Sequence, residues 1–250
     1  MVVSLVLASS ITAIITPLLG DDIVLEGQPQ RGTLIELYSS EGCSSCPPAE
    51  KWMSELKNDP RLWRQVIPVV FHVDYWDGLG WPDRFARTAY TQRQGDYQAR
   101  WHAANVYTPE FIVDAREWHG WFDGDDLPMA KTEMVGPLRI VINRDTGDVK
   151  VTHALIDSTV APHLTVNVAW LGMNIDSDVR GGENNGRNLV HDFVVLDFQS
   201  KPASFAADKG ISGEFPGPKS ASGADHSAAI AAWLSLDDGT IYQATGGLLK

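Results

Sequence analysis

The pattern of apolar residues changes once along the chain, near Gly136, and this change constrains the fold more than any other feature. Before it, short β-branched runs alternate with helical periodicity, as in "TLIELY", "AEKWMSELKND" and "QVIPVVFHVDYW". This alternation predicts an α/β domain over residues 21–135. After it, apolar and polar residues alternate with a period of two between Gly, Asn and Asp turns. Residues 136–250 are therefore predicted to form an antiparallel β-sandwich domain.

Individual elements follow from the same patterns. In the first half, "EFIVDAREWHGWF" predicts two strands around a turn, residues 85–104 predict a polar helix, and the Asp-rich start of "DDLPMAKTEMV" predicts a helix N-terminus. In the second half, "LRIVINRDTGDVKVTHALI" predicts a hairpin, and "NLVHDFVVLDFQ" predicts one strand. The segment "RGGENNGRN" has turn chemistry and lacks the Gly-Lys-Ser/Thr ending of a phosphate loop.

The first twenty residues contain no charged side chain, and Asp21 and Asp22 follow directly. This apolar length is typical of a signal-peptide core, whereas Pro17 and the Ser/Thr content argue against a membrane span. No Lys or Arg opens the segment, so a lipid-interface anchor or a buried N-terminal helix stays open. We expect residues 1–20 to be a signal peptide, the protein to be periplasmic or secreted, and the mature chain to have no membrane span.

The chain carries a net charge of −12. Nucleic acids and anionic membrane surfaces both select proteins with Lys/Arg patches, so the charge argues against these two partners. It names no other partner.

Both cysteines of the chain, Cys43 and Cys46, lie in "SSEGCSSCPPAEKW", between the first predicted strand and the following helix. Cysteines three apart at a helix start can open and close a disulfide without remodelling the backbone. Cys43 would lie beside the free N–H groups of the helix N-terminus, which favour the thiolate and lower the thiol pKa. We predict an exposed, activated nucleophile at Cys43 and a resolving thiol at Cys46.

Two other uses of the cysteine pair stay open. The pair is half of a zinc site by spacing, but the chain has no second pair and no H-x₃₋₅-H. It is also a candidate for a permanent staple, although closing so short a loop contributes little stability.

Three segments, "LIELYSSEGCSSCPPAE", "VVFHVDYWDGLGWPDRF" and "NVYTPEFIVD", together resemble the thioredoxin-like superfamily. They resemble more closely a secreted bacterial family catalogued as domain of unknown function 1223. The resemblance covers about residues 30 to 135, and "GENNGRNL" in the second half more weakly. It implies a thioredoxin-like fold for the α/β domain and a thiol–disulfide site, whereas the closer family implies no established substrate.

The resemblance also implies site residues. Pro109 in "YTPEF" matches a cis-proline that packs against the cysteine pair, and Thr108 before it would present its backbone to a substrate. Glu36 matches a buried acid that relays protons for Cys46, although the superfamily usually has Asp, one residue closer to the first cysteine. A Glu36 that points to solvent is the alternative.

The segment "HVDYWDGLGW" follows a predicted central strand, and ligands collect at the carboxyl ends of such strands. We therefore predict that Tyr75, Trp76 and Trp81 form the wall of a substrate groove. We interpret His72 as hydrogen-bonded inside the domain, with an acid/base or metal-binding role as the alternative. His191, in an alternating strand, is interpreted as structural.

These residues predict a thiol–disulfide oxidoreductase that needs no cofactor beyond a redox-active Cys43–Cys46 disulfide. Its partners would be a protein or small-molecule disulfide or thiol, and a separate redox partner. A copper-handling protein with Cys43, Cys46 and His72 as Cu(I) ligands is the second hypothesis. A binding module whose β-sandwich docks a partner while the cysteines stay idle is the third.

Overall fold

The computed structural model describes residues 22–129, 133–156, 163–205, 210–218 and 227–249. The predicted signal peptide, residues 1–20, lies outside these ranges. Within them, no helix is long and apolar enough to cross a membrane.

The described residues form strands and a few short helices. In chain order the strands are β1 (Ile23–Glu26), β2 (Thr33–Ser39), β3 (Val66–His72), β4 (Glu110–Val113), β5 (Arg116–Glu117), β6 (Leu138–Ile142), β7 (Val149–Ala154), β8 (Leu164–Gly172), β9 (Ile175–Asp178), β10 (Asn188–His191), β11 (Val194–Pro202), β12 (Ser204–Phe205), β13 (Gly210–Phe215), β14 (Ser227–Leu236) and β15 (Ile241–Leu248). The helices are α1 (Cys46–Glu55), α2 (Thr88–Trp101) and α3 (Gly120–Asp123), with 3₁₀ turns at Leu56–Asn58 and Asp77–Leu79.

The largest sheet has eight strands in the order β15-β14-β8-β11-β3-β2-β4-β5. Its central strands, β2 and β3, are parallel and buried along their whole length. Such continuous apolar runs are typical of strands that are covered on both faces. On the far side of β3, the sheet continues into the second half of the chain, where β11 pairs in parallel with β3 at Val194 and Val70.

A second sheet has five strands in the order β1-β6-β7-β13-β12. It packs face to face on β8, β14 and β15 through a cluster of buried side chains that includes Leu138, Val151, Val168, Trp170 and Ile230. The alternating burial of β6 and β7 matches a sheet with one face in the core and one in solvent. The predicted hairpin of β6 and β7 is confirmed.

The two longer helices cover opposite faces of β2. Ile35 and Leu37 pack in one cluster with Met53 of α1. Leu34 and Tyr38 pack in another cluster that includes side chains of α2. Because successive side chains of a strand point to opposite faces, the parity of a residue number on β2 decides which helix it meets.

Strand pairing crosses the boundary that we predicted at residue 135. The first strand, β1, joins the sheet formed mainly by residues 138–215, and β8, β11, β14 and β15 extend the sheet that contains β2 and β3. The two halves therefore share both sheets: β1 of the first half pairs with β6 of the second, and β11 of the second half pairs with β3 of the first.

Two predictions about individual elements are wrong. The helix predicted in "DDLPMAKTEMV" is absent from its described residues, 125–129 and 133–135. Pro128 removes a backbone donor there and disfavours helical backbone at Leu127. The strand predicted in "NLVHDFVVLDFQ" is two strands, because the chain turns at Phe193, whose φ is 57°.

Candidate functional site

The two cysteines lie where β2 passes into α1. Cys46 is the first residue of α1, and Cys43 lies in the turn before it, with the Cys46 N–H donating to the Cys43 carbonyl at 3.3 Å. Both are free thiols, adjacent to one another. Pro47 and Pro48 fit in the first turn because N–H groups there have no partner inside the helix.

The two thiols have opposite acidities. A hydrogen bond from the Cys46 thiol lowers the pKa of Cys43 to about 6; burial opposes this shift, and Ser45 and Thr108 add to it. The Ser45 hydroxyl lies 3.2 Å from the Cys43 sulfur. Burial, with the neighbouring Cys43, raises the pKa of Cys46 well above its usual range. Cys43 is thus the thiolate at neutral pH, and Cys46 is the protonated thiol.

Cys43 is not exposed, and our prediction on this point is wrong: the residue is 0% exposed. The loop of residues 179–187, between β9 and β10, docks on the backbone around Cys43, and we refer to it as the Asn184 loop. The Asn184 amide donates to the carbonyls of Glu41 and Cys43 at 2.9 and 2.8 Å, and the Ser44 N–H donates to Glu183 at 3.0 Å. The second half of the chain therefore forms part of the site.

The glycines of the Asn184 loop permit this close approach. A Cβ on Gly181 would collide with the carbonyl oxygen of Gly80, and one on Gly182 would lie 3.4 Å from the Cα of Gly42. Gly182 also has a φ of 65°, which favours glycine. The glycines that predict a turn in the sequence are thus also needed for the loop to lie this close to Gly42 and Gly80.

Thr108 and Trp76 lie beside Cys43. The carbonyl oxygen of Thr108 is 3.8 Å from the Cys43 sulfur, and the Trp76 indole N–H donates to the Thr108 hydroxyl at 2.8 Å. The Thr108–Pro109 peptide bond is cis, as predicted. Pro109 itself is buried.

The other two aromatic residues predicted for the groove wall, Trp81 and Tyr75, have hydrogen-bond partners of their own. Trp81 is half-buried, and its indole N–H donates to the Glu41 carboxylate at 2.6 Å. Tyr75 is 41% exposed, and its hydroxyl donates to Gln94 at 3.3 Å. Trp81 therefore supports the cysteine loop, whereas Tyr75 offers an exposed ring next to Trp76.

Glu36 is predicted to relay protons for Cys46, but its hydrogen-bond partners lie elsewhere. Its carboxylate accepts hydrogen bonds from Arg93 at 2.8 and 3.0 Å, from Tyr97 at 2.5 Å and from Tyr38 at 3.1 Å, a group that we call the Glu36 cage. Glu36 has the same parity on β2 as Tyr38, so it faces α2, whereas α1 packs on the opposite face. The proton-relay role assigned to Glu36 is therefore wrong, and so is the alternative of a solvent-facing side chain, because Glu36 is fully buried.

A different set of buried polar side chains lies behind the cysteine loop, and we call it the Glu50 cluster. Glu50 Oε2 lies 2.6 Å from His191 Nδ1, and Glu50 Oε1 lies 3.6 Å from His72 Nε2. The Ser39 hydroxyl donates to Glu50 and also hydrogen-bonds the Cys46 thiol. The members of the cluster are Ser39, Glu41, Glu50, His72, Asp83 and His191.

Two further buried carboxylates, those of Asp83 and Glu41, face the other nitrogens of the two imidazoles. His72 Nδ1 lies 2.7 Å from Asp83 Oδ2, and His191 Nε2 lies 3.2 Å from Glu41 Oε1. Burial alone would lower the pKa of His191, but Glu50 and Glu41 outweigh it and raise the pKa to about 10. The interpretation of His72 as hydrogen-bonded inside the protein is confirmed.

The copper ligand set of Cys43, Cys46 and His72 is not formed. Both nitrogens of His72 face carboxylates, Asp83 on one side and Glu50 on the other. In the described part of the chain, one group of three His, Cys, Asp or Glu residues has ligand atoms within 4.8 Å of one another, and it consists of Glu50, His72 and His191.

Sequence reasoning missed Glu50, Glu41, Asp83 and Asn184. A signal existed for Glu50 alone: it follows Cys46 by four residues in a helix, and residues at this spacing share a face. Glu41 lies two residues before Cys43 but belongs to no pattern of its own, and Asp83 and Asn184 lie in loops that only the folded chain brings to the cysteines.

The known proteins that this chain resembles match it over both of its halves. Residues 34–233 match the model of a family described as "Protein of unknown function (DUF1223)". The chain is similar to the crystal structure of protein AGR_C_4864 from Agrobacterium tumefaciens, with 22% identity and a TM-score of 0.61 over 89% of this chain and 96% of that one. It is also similar to HBP35 of Porphyromonas gingivalis, with 14% identity and a TM-score of 0.56 over 89% and 76% of the two chains. None of the curated proteins matches the sequence.

Proposed function

The chain belongs to this family of unknown function, and we propose that it is a thiol–disulfide oxidoreductase that works through Cys43 and Cys46. One observation carries the proposal: two adjacent thiols have surroundings that favour a thiolate on Cys43 and a protonated thiol on Cys46. A structural pair needs no such difference, whereas exchange needs a nucleophile and a resolving thiol.

In the proposed reaction the Cys43 thiolate attacks one sulfur of a substrate disulfide. The new S–S bond joins Cys43 to the substrate, and the other substrate sulfur leaves as a thiolate. Cys46 then loses its proton and attacks the Cys43 sulfur, which releases the second substrate thiol. The protein is left with a Cys43–Cys46 disulfide, so two electrons have passed to the substrate. A separate dithiol partner would reduce the pair again, and the reverse sequence would oxidise a dithiol substrate.

Thr108 and Trp76 are proposed to position the substrate. The Thr108 carbonyl lies beside the Cys43 sulfur, and Trp76 fixes the Thr108 side chain. A peptide laid along Thr108 would pair with its backbone, as in β-augmentation. Because Cys43 is buried, its surroundings must move before a substrate reaches the sulfur, and we propose that the Asn184 loop, which docks on the Cys43 carbonyl, is the part that moves.

We also propose a thioredoxin-like relationship for residues 33–117 and an extracytoplasmic location. The order β2-α1-β3-α2-β4, with the cysteines between β2 and α1, supports the first. Two features support the extracytoplasmic location. The first twenty residues carry no charge, as in a signal-peptide core, and a disulfide between Cys43 and Cys46 would persist in an oxidising compartment. Fractionation of cells that express the full chain would test the location.

Reaction of the reduced protein with a chromogenic aryl disulfide tests the function. The native protein should release two aryl thiols per chain and retain no label. Cys46→Ala should release one and keep the aryl group on Cys43 as a stable mixed disulfide. Cys43→Ala should react much more slowly, because its remaining thiol is buried and protonated at neutral pH.

Ser44→Ala is the matched control, because the Ser44 hydroxyl hydrogen-bonds Glu183, whereas Ser45 contacts the Cys43 sulfur. It should behave like the native protein. Equal labelling of the two cysteine variants, or no labelling of either, would contradict the proposed division of roles.

A further inference from the structure

The Glu50 cluster holds more buried charge than the thiol chemistry requires. Ser39 connects it to Cys46, and it includes two imidazoles and three carboxylates, all of which are buried. We infer that Glu50, His72 and His191 bind one divalent transition-metal ion, and that Zn²⁺ is the metal that suits this site best.

The ligand atoms already converge. One atom from each of the three residues lies within 4.8 Å of the others, and all three side chains are buried. His72 Nε2 has no hydrogen-bond partner, although it is fully enclosed. A buried nitrogen without a partner is costly, and a metal ion would supply the missing bond.

The second nitrogen of each imidazole faces a carboxylate, and that of His72 is hydrogen-bonded to it. Asp83 lies 2.7 Å from His72 Nδ1, and Glu41 lies 3.2 Å from His191 Nε2. Carboxylates behind metal-bound histidines fix the tautomer and the ring orientation. Here they direct the other nitrogen of each ring, His72 Nε2 and His191 Nδ1, toward Glu50.

Charge balance points the same way. Glu41, Glu50 and Asp83 place three negative charges in a region that excludes water, and unpaired buried charges are strongly unfavourable. A divalent cation at the centre would offset two of them and leave both imidazoles neutral, with their lone pairs free to coordinate. Two protons on the imidazoles are the alternative, and the experiment below separates the two cases.

The donor set selects the metal. Two imidazole nitrogens and one carboxylate suit Zn²⁺, which accepts His and Glu together. Mg²⁺ and Ca²⁺ prefer oxygen ligands, and Cu(I) prefers thiolates. The ligands come from α1, β3 and β10, so the ion would join both halves of the chain behind the cysteines.

Metal loading of the full chain tests this inference. The protein is refolded from chelator-treated denatured material with Zn²⁺ and then dialysed, and bound metal and melting temperature are measured. We expect one Zn²⁺ per chain and a higher melting temperature than without metal, because a ligand that binds only the folded state stabilises it. Cys43→Ser/Cys46→Ser should keep the metal, which separates this site from the thiols and from the proposed function.

His72→Gln should lose the metal, and His163→Gln should keep it, because His163 is an exposed histidine that pairs with Asp237 outside the cluster. Asp83→Asn, which keeps all three ligands, should bind Zn²⁺ about 10–100-fold more weakly. Co²⁺-loaded native protein should show d–d absorption without a thiolate charge-transfer band, and this readout does not depend on the folding of any variant.

Three results would overturn the inference. These are a native protein that takes up no metal on refolding, metal that is lost with the two cysteines, or metal that folded His72→Gln retains. If the native protein takes up no metal, protons on His72 and His191 supply the charge that balances the three carboxylates.

Discussion

Two buried glutamates lie on opposite sides of β2, and they differ in what surrounds them. Glu36 faces α2, and its oxygens accept hydrogen bonds from Arg93 and Tyr97 of α2 and from Tyr38 of β2. Glu50 lies on α1, where it meets two imidazoles and the Ser39 hydroxyl that also contacts Cys46. Glu36 and Glu50 are each seven residues from Cys43 in sequence, but the sheet itself separates Glu36 from the thiols. Which acid serves the site therefore follows from the face of β2 on which it lies.

The comparison assigns different tasks to the two acids. The Glu36 cage is a closed ion pair whose guanidinium also lies over the rings of Phe71, Tyr97, Phe198 and Trp233. Its contribution should appear in stability and not in thiol chemistry. The Glu50 cluster reaches Cys46 through Ser39, so changes there should appear in both.

The largest effect is expected from Glu36→Gln. Removing one partner of a buried pair leaves the Arg93 charge uncompensated and should lower the free energy of unfolding by about 3–5 kcal/mol. Denaturant titration measures this loss. The exposed pair of Asp178 and Arg180 provides the control, since Asp178→Asn should change the same quantity by less than about 1 kcal/mol.

The thiol pKa of Cys43 should be unchanged in folded Glu36→Gln. If Glu36→Gln keeps full stability but the pKa of Cys43 rises, Glu36 acts on the thiols after all, and the contrast with Glu50 is wrong.

A smaller effect is expected from Asn184→Ala. It leaves the buried carbonyls of Glu41 and Cys43 without their donor, at a cost of about 1–3 kcal/mol. Because the same contacts close the Asn184 loop, alkylation of Cys43 by iodoacetamide should become faster. Asn185→Ala is the matched control, because Asn185 is an exposed neighbour in the same loop and should leave the rate unchanged. A rate that does not rise in Asn184→Ala would mean that this loop does not control access.

Much of the fold follows from local patterns. The period-two runs predict the hairpin of β6 and β7, and the unbroken apolar run predicts β3 as a central strand. The sequence could not indicate that β11 pairs with β3, because that pairing joins residues far apart in the chain at a single register pair. The boundary at residue 135 marks a real change of pattern, but the strands on its two sides complete one another's sheets.

The site is less predictable than the fold. Cys43, Cys46 and Trp76 follow from local motifs and Thr108 follows from the resemblance, and the four lie together as expected. The placement of Glu36 follows from resemblance, and the structure overturns it, because Glu36 shares with Leu34 and Tyr38 the face of β2 that packs toward α2. The loop that docks on the Cys43 carbonyl lies more than one hundred residues away, and its turn chemistry alone does not reveal this contact.

The smallest effect is expected from Ser45→Ala. It removes the hydroxyl at 3.2 Å from the Cys43 sulfur but keeps the backbone N–H of residue 45. A hydrogen bond contributes about 0.5–1.5 kcal/mol, so the pKa of Cys43 should rise by up to about one unit. Thiolate absorbance against pH measures the shift, and Ser44→Ala should show none. A shift of equal size in both variants would mean that the serines act through the loop and not through this contact.

The ionisation of the two thiols in the reduced native protein tests the central claim most directly. Thiolate absorbance should rise once with a midpoint at about pH 6, and Cys43→Ser should abolish this rise. Because the folded-state pKa of Cys43 is lowered, its ionisation stabilises the reduced protein fully above the ordinary thiol pKa, and this stabilisation is lost as the pH falls through about 6. The second thiol, Cys46, should stay protonated through neutral pH. Two thiolates that form together near the ordinary value of about 8.5 would contradict the account.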